Sequence, residues 1–226
     1  MASSFVELSH PITAGMETYP GLPVPQAHVL VDHQSSRSTY QDKAEFLIAS
    51  LHLCGNTGTY VDSPFHRHPG GADLAALPLE HLAHLPVQVI DARNAGRAIG
   101  AEVFEGVDLA ARAVLIRTDW SAHWGTPRYF EGHPFLTQEG ADYLRELGAA
   151  FVGIDSMNID DTADLARPAH TILLGAGIPI CEHMTNLHLP LPAAGRLHAV
   201  PIAWRGGASF PVRAYVVADA VADAAG

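Results

Sequence analysis

Basic residues are scarce in this chain of 226 residues: 13 Lys and Arg stand against 24 Asp and Glu, a formal net charge of -11. No stretch of five or more basic residues occurs, which argues against nucleic acid as a partner. The acidity speaks to solubility and carries no substrate signal. Long apolar runs are also missing, and none approaches the ~18 residues needed to span a bilayer. The opening residues, MASSFVELSH, lack a basic region followed by an apolar stretch, so no secretory signal is expected. Cysteine is limited to Cys54 and Cys181. Two thiols do not make a disulfide framework, although pairing between them stays open. A reducing cytoplasm is the expected compartment.

What is present is apolar and rich in histidine. Hydrophobic residues make up 48% and charged residues 16%, the balance of a globular chain. The length suits one domain, 1–226, with a substantial core. Short runs rich in Val, Ile and Leu predict strands over Phe5–Leu8, His28–Asp32, Phe46–Leu53, Val87–Asp91, Ala113–Thr118, Ala150–Ile154, Ile178–Cys181, Leu197–Ala203 and Val212–Ala218. A helix is expected from about Thr137, as cap, to Leu147, with Gly148 as its stop. A second is expected between Pro168 and Leu174, where proline suits the first turn. Strands outnumber helices and often follow one another directly. This favours a mixed α/β fold with a partly closed or layered sheet.

Two segments carry the chemistry. The first, HLCGNTGTYVDSPFHRHPGG, runs from His52 to Gly71. If its first part is extended, His52, Cys54, Asn56, Gly58, Tyr60 and Asp62 share one polar face. Pro64 then ends the pairing, and His66 and His68 follow on a loop. An ordinary hydrogen-bonded network accounts equally well for Asp62 and His66. The second segment, PAHTILLGAGIPICEHMTNL, offers His170 at a helix start and Glu182 at a strand end. Carboxylate oxygen and imidazole nitrogen together suit zinc or manganese. His52, His68 and His183 are further donors or plain surface histidines. Trp120, Trp124, Tyr129 and Phe130 flank a Gly–Pro loop and are read either as pocket wall or as core. Arg213 is expected in a structural salt bridge, while His123 and His133 have no assigned role. The cysteines are read as small buried apolar residues.

Several collinear blocks resemble the cyclase family that includes bacterial kynurenine formamidase and isatin hydrolase. They are FVELSHPITAGMETYPG, VLIRTDW, GHPFLTQEGADYLRELGAAFVGIDSMNID, HTILLGAGIPICEHMTNL and SFPVRAYVVA, and they cover nearly the whole chain. The resemblance implies a swivelling β/β/α fold, a homo-oligomer and metal-dependent hydrolysis. It also implies that Tyr19, Pro20 and Gly21 help to form the pocket. The family motif H-x-G-T-H-x-D-x-x-x-H is matched at Gly58, Thr59, Asp62 and His66, while Asn56 and Tyr60 replace its first two histidines. His170 and Glu182 match the late ligand positions.

The expected metal set is therefore Asp62, His66, His170 and Glu182. It would hold at most one divalent ion, zinc or manganese, because Asn is a poor ligand and Tyr is bulky. The leading expectation is hydrolysis of a C–N bond in a small amide or cyclic amide, like an arylformamidase. Glu182 or His66 would move the proton, and Tyr60 would face the oxyanion. Two alternatives remain open. One is a cyclase, dehydratase or isomerase that uses Tyr60 as acid or base. The other is a metal-free protein that lost the chemistry.

Overall fold

The computed structural model describes residues 5–192 and 194–218. Its strands are β1 (Phe5–Glu7), β2 (Gln26–Val31), β3 (Ile48–His52), β4 (Tyr60–Asp62), β5 (Ala83–Asp91), β6 (Ala98–Ile99), β7 (Ala113–Arg117), β8 (Phe135–Leu136), β9 (Phe151–Ile154), β10 (Ile180–Glu182), β11 (Gly195–His198), β12 (Ser209–Pro211) and β13 (Tyr215–Ala218). Its helices are α1 (His33–Thr39), α2 (Gln138–Glu146) and α3 (Pro168–Gly175). The fold is mixed α/β, as expected.

Nine strands form one sheet in the order β1-β13-β11-β5-β7-β9-β10-β4-β12. The centre, β5-β7-β9-β10, is parallel, and both flanks are antiparallel. Parallel neighbours need crossover connections; α2 fills the one between β7 and β9, and α3 the one between β9 and β10. Alternation then divides the core. Val114, Ile116, Val152, Ile154 and Ile180 pack with Leu144 and Leu173 of the helices. The intervening Leu115, Phe151 and Cys181 meet Val61, Leu85 and Val216 on the opposite face. Cys181 is buried and both thiols are free.

The two expected helices form. The Thr137 hydroxyl caps α2 by accepting from the Gly140 N–H at 3.2 Å, and Pro168 opens α3. Three expectations need correction. First, His52 to Asp62 is not one extended run: β3 stops at His52 and β4 starts only at Tyr60. Gly58 between them adopts φ +64°, and a Cβ on Gly55 would overlap the Ser209 carbonyl, so the chain turns instead of alternating. Tyr60 and Asp62 do share a face, and Asn56 approaches from the loop. Second, the strand expected at Leu197–Ala203 lies earlier, at Gly195–His198, and bulges between Leu197 and His198. Third, the strand expected at Val212–Ala218 starts later, at Tyr215 (β13), and Ser209–Pro211 before it forms a separate strand, β12, on the opposite flank of the sheet.

Candidate metal and active site

Strand register builds the site. Antiparallel pairing sets Ile180 opposite Asp62 and Glu182 opposite Tyr60. On the other side of β4, Ser209 lies opposite Asp62. Directly opposed residues project to the same face, so Tyr60, Asp62, Glu182 and Ser209 converge there. Pro64 then ends β4, and the short 3-10 turn Pro64–His66 returns His66 over Asp62. His66 Nδ1 lies 3.6 Å from Asp62 Oδ1. Ser209 Oγ donates to the same Asp62 oxygen and sits 3.2 Å from His66 Nδ1.

α3 brings the other imidazole. Asp160 accepts from the backbone N–H groups of Ala169 (2.7 Å) and His170 (3.1 Å), fixing the first turn. Its Oδ2 also lies 2.6 Å from His170 Nδ1. A carboxylate there accepts a hydrogen bond from Nδ1–H and leaves the Nε2 lone pair free to bind a metal. That Nε2 is 3.6 Å from both Asp62 Oδ2 and Glu182 Oε1. Ligand-type atoms of Asp62, His66 and His170 all lie within 4.8 Å of one another. Glu182 borders this trio through His170. Its Oε1 accepts from the Ile159 N–H at 2.7 Å, and its Oε2 from the Tyr60 hydroxyl and, at 3.4 Å, from Asn158.

The donor set fits a divalent cation. Asp62 Oδ2 is buried and has no hydrogen-bond partner, an arrangement that is costly unless something positive meets it. Burial alone would lower the His170 pKa, but Glu182, Asp160 and Asp62 outweigh it and raise it to about 10. For Asp62 burial acts upward, yet His66 and His170 hold it below the usual carboxylate value. Burial lifts Glu182 to about 7, with Asp62 adding to the effect and His170 opposing it. Burial, then the charges of Glu182 and Asp62, push the Tyr60 phenol well above its ordinary value. The negative field that keeps a proton on His170 is one that also attracts a metal ion.

The site opens into a cavity of about 340 Å³. Tyr19, Asn56, Tyr60, His66, His170 and Glu182 line it, with Leu22, Arg67, Asn158 and Arg167. Among the described residues, His52, His68 and His183 take no part in the metal-type cluster. His68 Nε2 meets the Thr171 carbonyl at 3.1 Å, His183 Nδ1 meets the Tyr129 hydroxyl at 2.9 Å, and His52 lies on the β2–β3 hairpin beside His28. The aromatic loop forms no wall of this cavity: Trp124 stacks on His10, and Tyr129 is buried against His183. His133 Nε2 lies 3.0 Å from the Asp160 carbonyl. Arg213 pairs with Glu7 at 2.7 Å, as expected.

Sequence reasoning missed Asp160, Ser209 and Asn158. Asp160 stands ten residues before His170 in an acidic stretch, a weak signal. Ser209 gives no local signal, because only the β12–β4 pairing brings it to Asp62.

The family model described as "Putative cyclase" matches residues 6–161. The chain belongs to the cyclase family. Kynurenine formamidase of Bacillus cereus is 30% identical over 217 residues, spanning 95% of this chain and 97% of that protein. Its counterpart from Bacillus cytotoxicus is 28% identical over 216 residues, spanning 95% and 98%. Among solved structures, an isatin hydrolase bound to the product analogue thioisatinate superposes with TM-score 0.77 at 21% identity, covering 94% of this chain and 91% of that one. Isatin hydrolase A from Ralstonia solanacearum gives 0.76 at 21%, covering 95% and 92%. At such identity the structural matches speak to the cyclase fold alone.

Proposed function

We propose that this cyclase-family chain is a metal-dependent hydrolase of the C–N bond in a small amide or cyclic amide, in the manner of an arylformamidase. One observation carries the reading: Asp62, His66 and His170 converge on a buried, unpartnered carboxylate oxygen beside a small cavity. The kinship with kynurenine formamidases over nearly the full length supports the amide substrate. We assign Asp62, His66 and His170 as ligands of a single ion, zinc or manganese, with Glu182 Oε1 as the fourth donor. Such an ion supplies Lewis-acid polarisation of a carbonyl and makes water a stronger nucleophile near neutral pH.

The chain's own groups do the rest. Asp160 fixes the His170 tautomer. Ser209 orients both Asp62 and His66. His66 is the exposed member of the trio and presents its ring at the cavity. Glu182, held by Ile159 and Tyr60, accepts a proton from the attacking water. Tyr60 donates to Glu182, and it serves the oxyanion whenever Glu182 takes over as the donor in that pair. The cavity, about 340 Å³, lies at the small end of ligand sites and matches a compact substrate.

A second reading, non-hydrolytic cyclase, dehydratase or isomerase chemistry, draws on the same Tyr60–Glu182 pair as an acid–base couple. A metal-free reading leaves Asp62 Oδ2 without a hydrogen-bond partner, faced only by the His170 imidazole at 3.6 Å, which weighs against it. Self-association draws support from the β2–β3 hairpin, which exposes Val29, Leu30, Ile48 and Leu51; sedimentation measures it. The deciding assay is hydrolysis of formanilide and of a cyclic amide in ¹⁸O water by zinc- or manganese-loaded protein. The hydrolase reading expects ¹⁸O in the released acid. Turnover of neither amide would sink it.

A further inference from the structure

Two arginines line the cavity, and both are held in place without a carboxylate. Arg67 donates from Nε to Thr171 Oγ1 (2.9 Å) and from Nη2 to the Ala166 carbonyl (2.6 Å). Arg167 donates from Nη1 to Asn158 Oδ1 (3.1 Å) and from Nη2 to the Thr162 carbonyl (3.4 Å). Their anchors interlock, because Thr171 Oγ1 itself donates to the Arg167 carbonyl at 2.9 Å. Many other arginines are held differently: Arg37, Arg93, Arg97, Arg112, Arg117, Arg145 and Arg213 sit on Asp or Glu partners, while Arg128 stacks on Trp120. In a chain of net charge -11, two oriented guanidiniums that line one cavity have no acidic counter-charge among the described residues.

The nearby acids do not supply one. Asp160 spends its oxygens on the first turn of α3 and on His170. Asp161 pairs with Arg97. Neutral acceptors fix the direction of each guanidinium but leave its charge and its remaining N–H donors free. A planar fork of that kind matches a carboxylate. Arg167 is also coupled to the reacting centre: Asn158, which accepts from it, donates to Glu182 at 3.4 Å.

We propose that Arg67 and Arg167 form an anion subsite, and that the substrate is a small amide carrying a carboxylate away from its scissile bond. This rests on the hydrolase reading above for the word amide, and on the arginines alone for the word carboxylate. The carboxylate docks at the cavity mouth, and the amide reaches inward to Asp62, His66 and His170.

The test compares 3-formamidobenzoate with formanilide, which differ only by a carboxylate; the meta position prevents it from closing a chelate with the amide. In metal-loaded protein, kcat/KM is expected to favour 3-formamidobenzoate. Arg67→Gln and Arg167→Gln should each cut that preference roughly tenfold or more, the scale of a lost charge-assisted hydrogen bond. Arg→Lys at either position should restore part of it. An unchanged ratio, or equal losses on both amides, would overturn the subsite. If neither amide turns over, the hydrolase reading fails and binding decides the subsite. Calorimetry with 3-aminobenzoate and aniline should show tight binding only for the acid, weakened tenfold or more in Arg67→Gln with circular dichroism unchanged. Equal affinity for both compounds, or no measurable binding of the acid, would refute it.

Discussion

The two sides of the candidate site are built differently. On one side Asp62, His66 and His170 each have a dedicated orienting partner, Ser209 for the first two and Asp160 for the third. On the other side Asn56 and Tyr60 stand where the family motif has histidines. The Tyr60 ring is buried, with its hydroxyl on Glu182 and its ring centroid 5.3 Å from that of His183. The first side keeps a donor set open toward a cation. The second fills its space with an aromatic ring and a satisfied hydrogen bond. Under the proposed ligand assignment, the lesson is that a site can do without motif histidines when its remaining ligands are anchored independently.

The largest expected effect comes from breaking the intact side. His170→Ala should abolish metal binding and hydrolysis together, because it removes a ligand and leaves Asp62 and Glu182 facing each other. Asp160→Asn should cost ~10–100-fold in metal affinity or activity, the usual scale for a residue that orients a metal-binding histidine. Dialysis against a metal buffer, followed by an activity assay, measures both. Full metal affinity in Asp160→Asn would remove the distinction between the two sides.

A middle-sized effect probes the altered side. Tyr60→Phe deletes the hydroxyl on buried Glu182 and should destabilise the fold by about 1.5–3 kcal/mol. If Tyr60 also serves the reaction, kcat falls as well, by roughly 10²-fold. Urea unfolding and kinetics on the same variant separate filler from participant: lost stability with unchanged kcat makes Tyr60 filler.

The smallest effect is a pH signature of opposite sign on the two sides, read in chelator-treated protein. His183, behind Tyr60, is driven down to about 3 by burial, with His10 adding to the effect. Its folded pKa lies below the unfolded value near ~6.5, so its contribution to stability is complete above that pH. It is lost as pH falls toward 3. His170, raised to about 10, contributes fully below ~6.5 and loses its contribution as pH climbs toward 10. Unfolding curves across pH 4–10 (roughly the window between the two shifted values) should flatten on the acid side in His183→Gln and on the alkaline side in His170→Gln. Matching changes on both limbs in either variant would contradict the assignment.

Much of the frame was legible in the sequence. The central strands are continuous Val, Ile and Leu runs because both of their faces are covered. α2 announced itself through Thr137. α1 did not: its sequence, HQSSRST, has no apolar face, and it rests on Asp32 accepting from the Ser35 N–H at 2.7 Å. The metal-type residues were visible as residue types, but their convergence was not, since it depends on β10 and β12 both pairing with β4. Period-two reasoning failed between His52 and Tyr60 because Gly55 and Gly58 bend the chain there. The pocket arginines passed unnoticed: what distinguishes them is a missing partner, and only a structure shows that.

The central claim is that one anchored side suffices to hold one ion. Its most direct test is the metal content of the purified protein after saturation with zinc or manganese and removal of excess, beside that of the Asn56→His, Tyr60→His double variant. The account predicts one ion per chain in the native protein, none in His170→Ala, and a second ion only in the double variant. Two ions per native chain, or none under saturating metal, would contradict it.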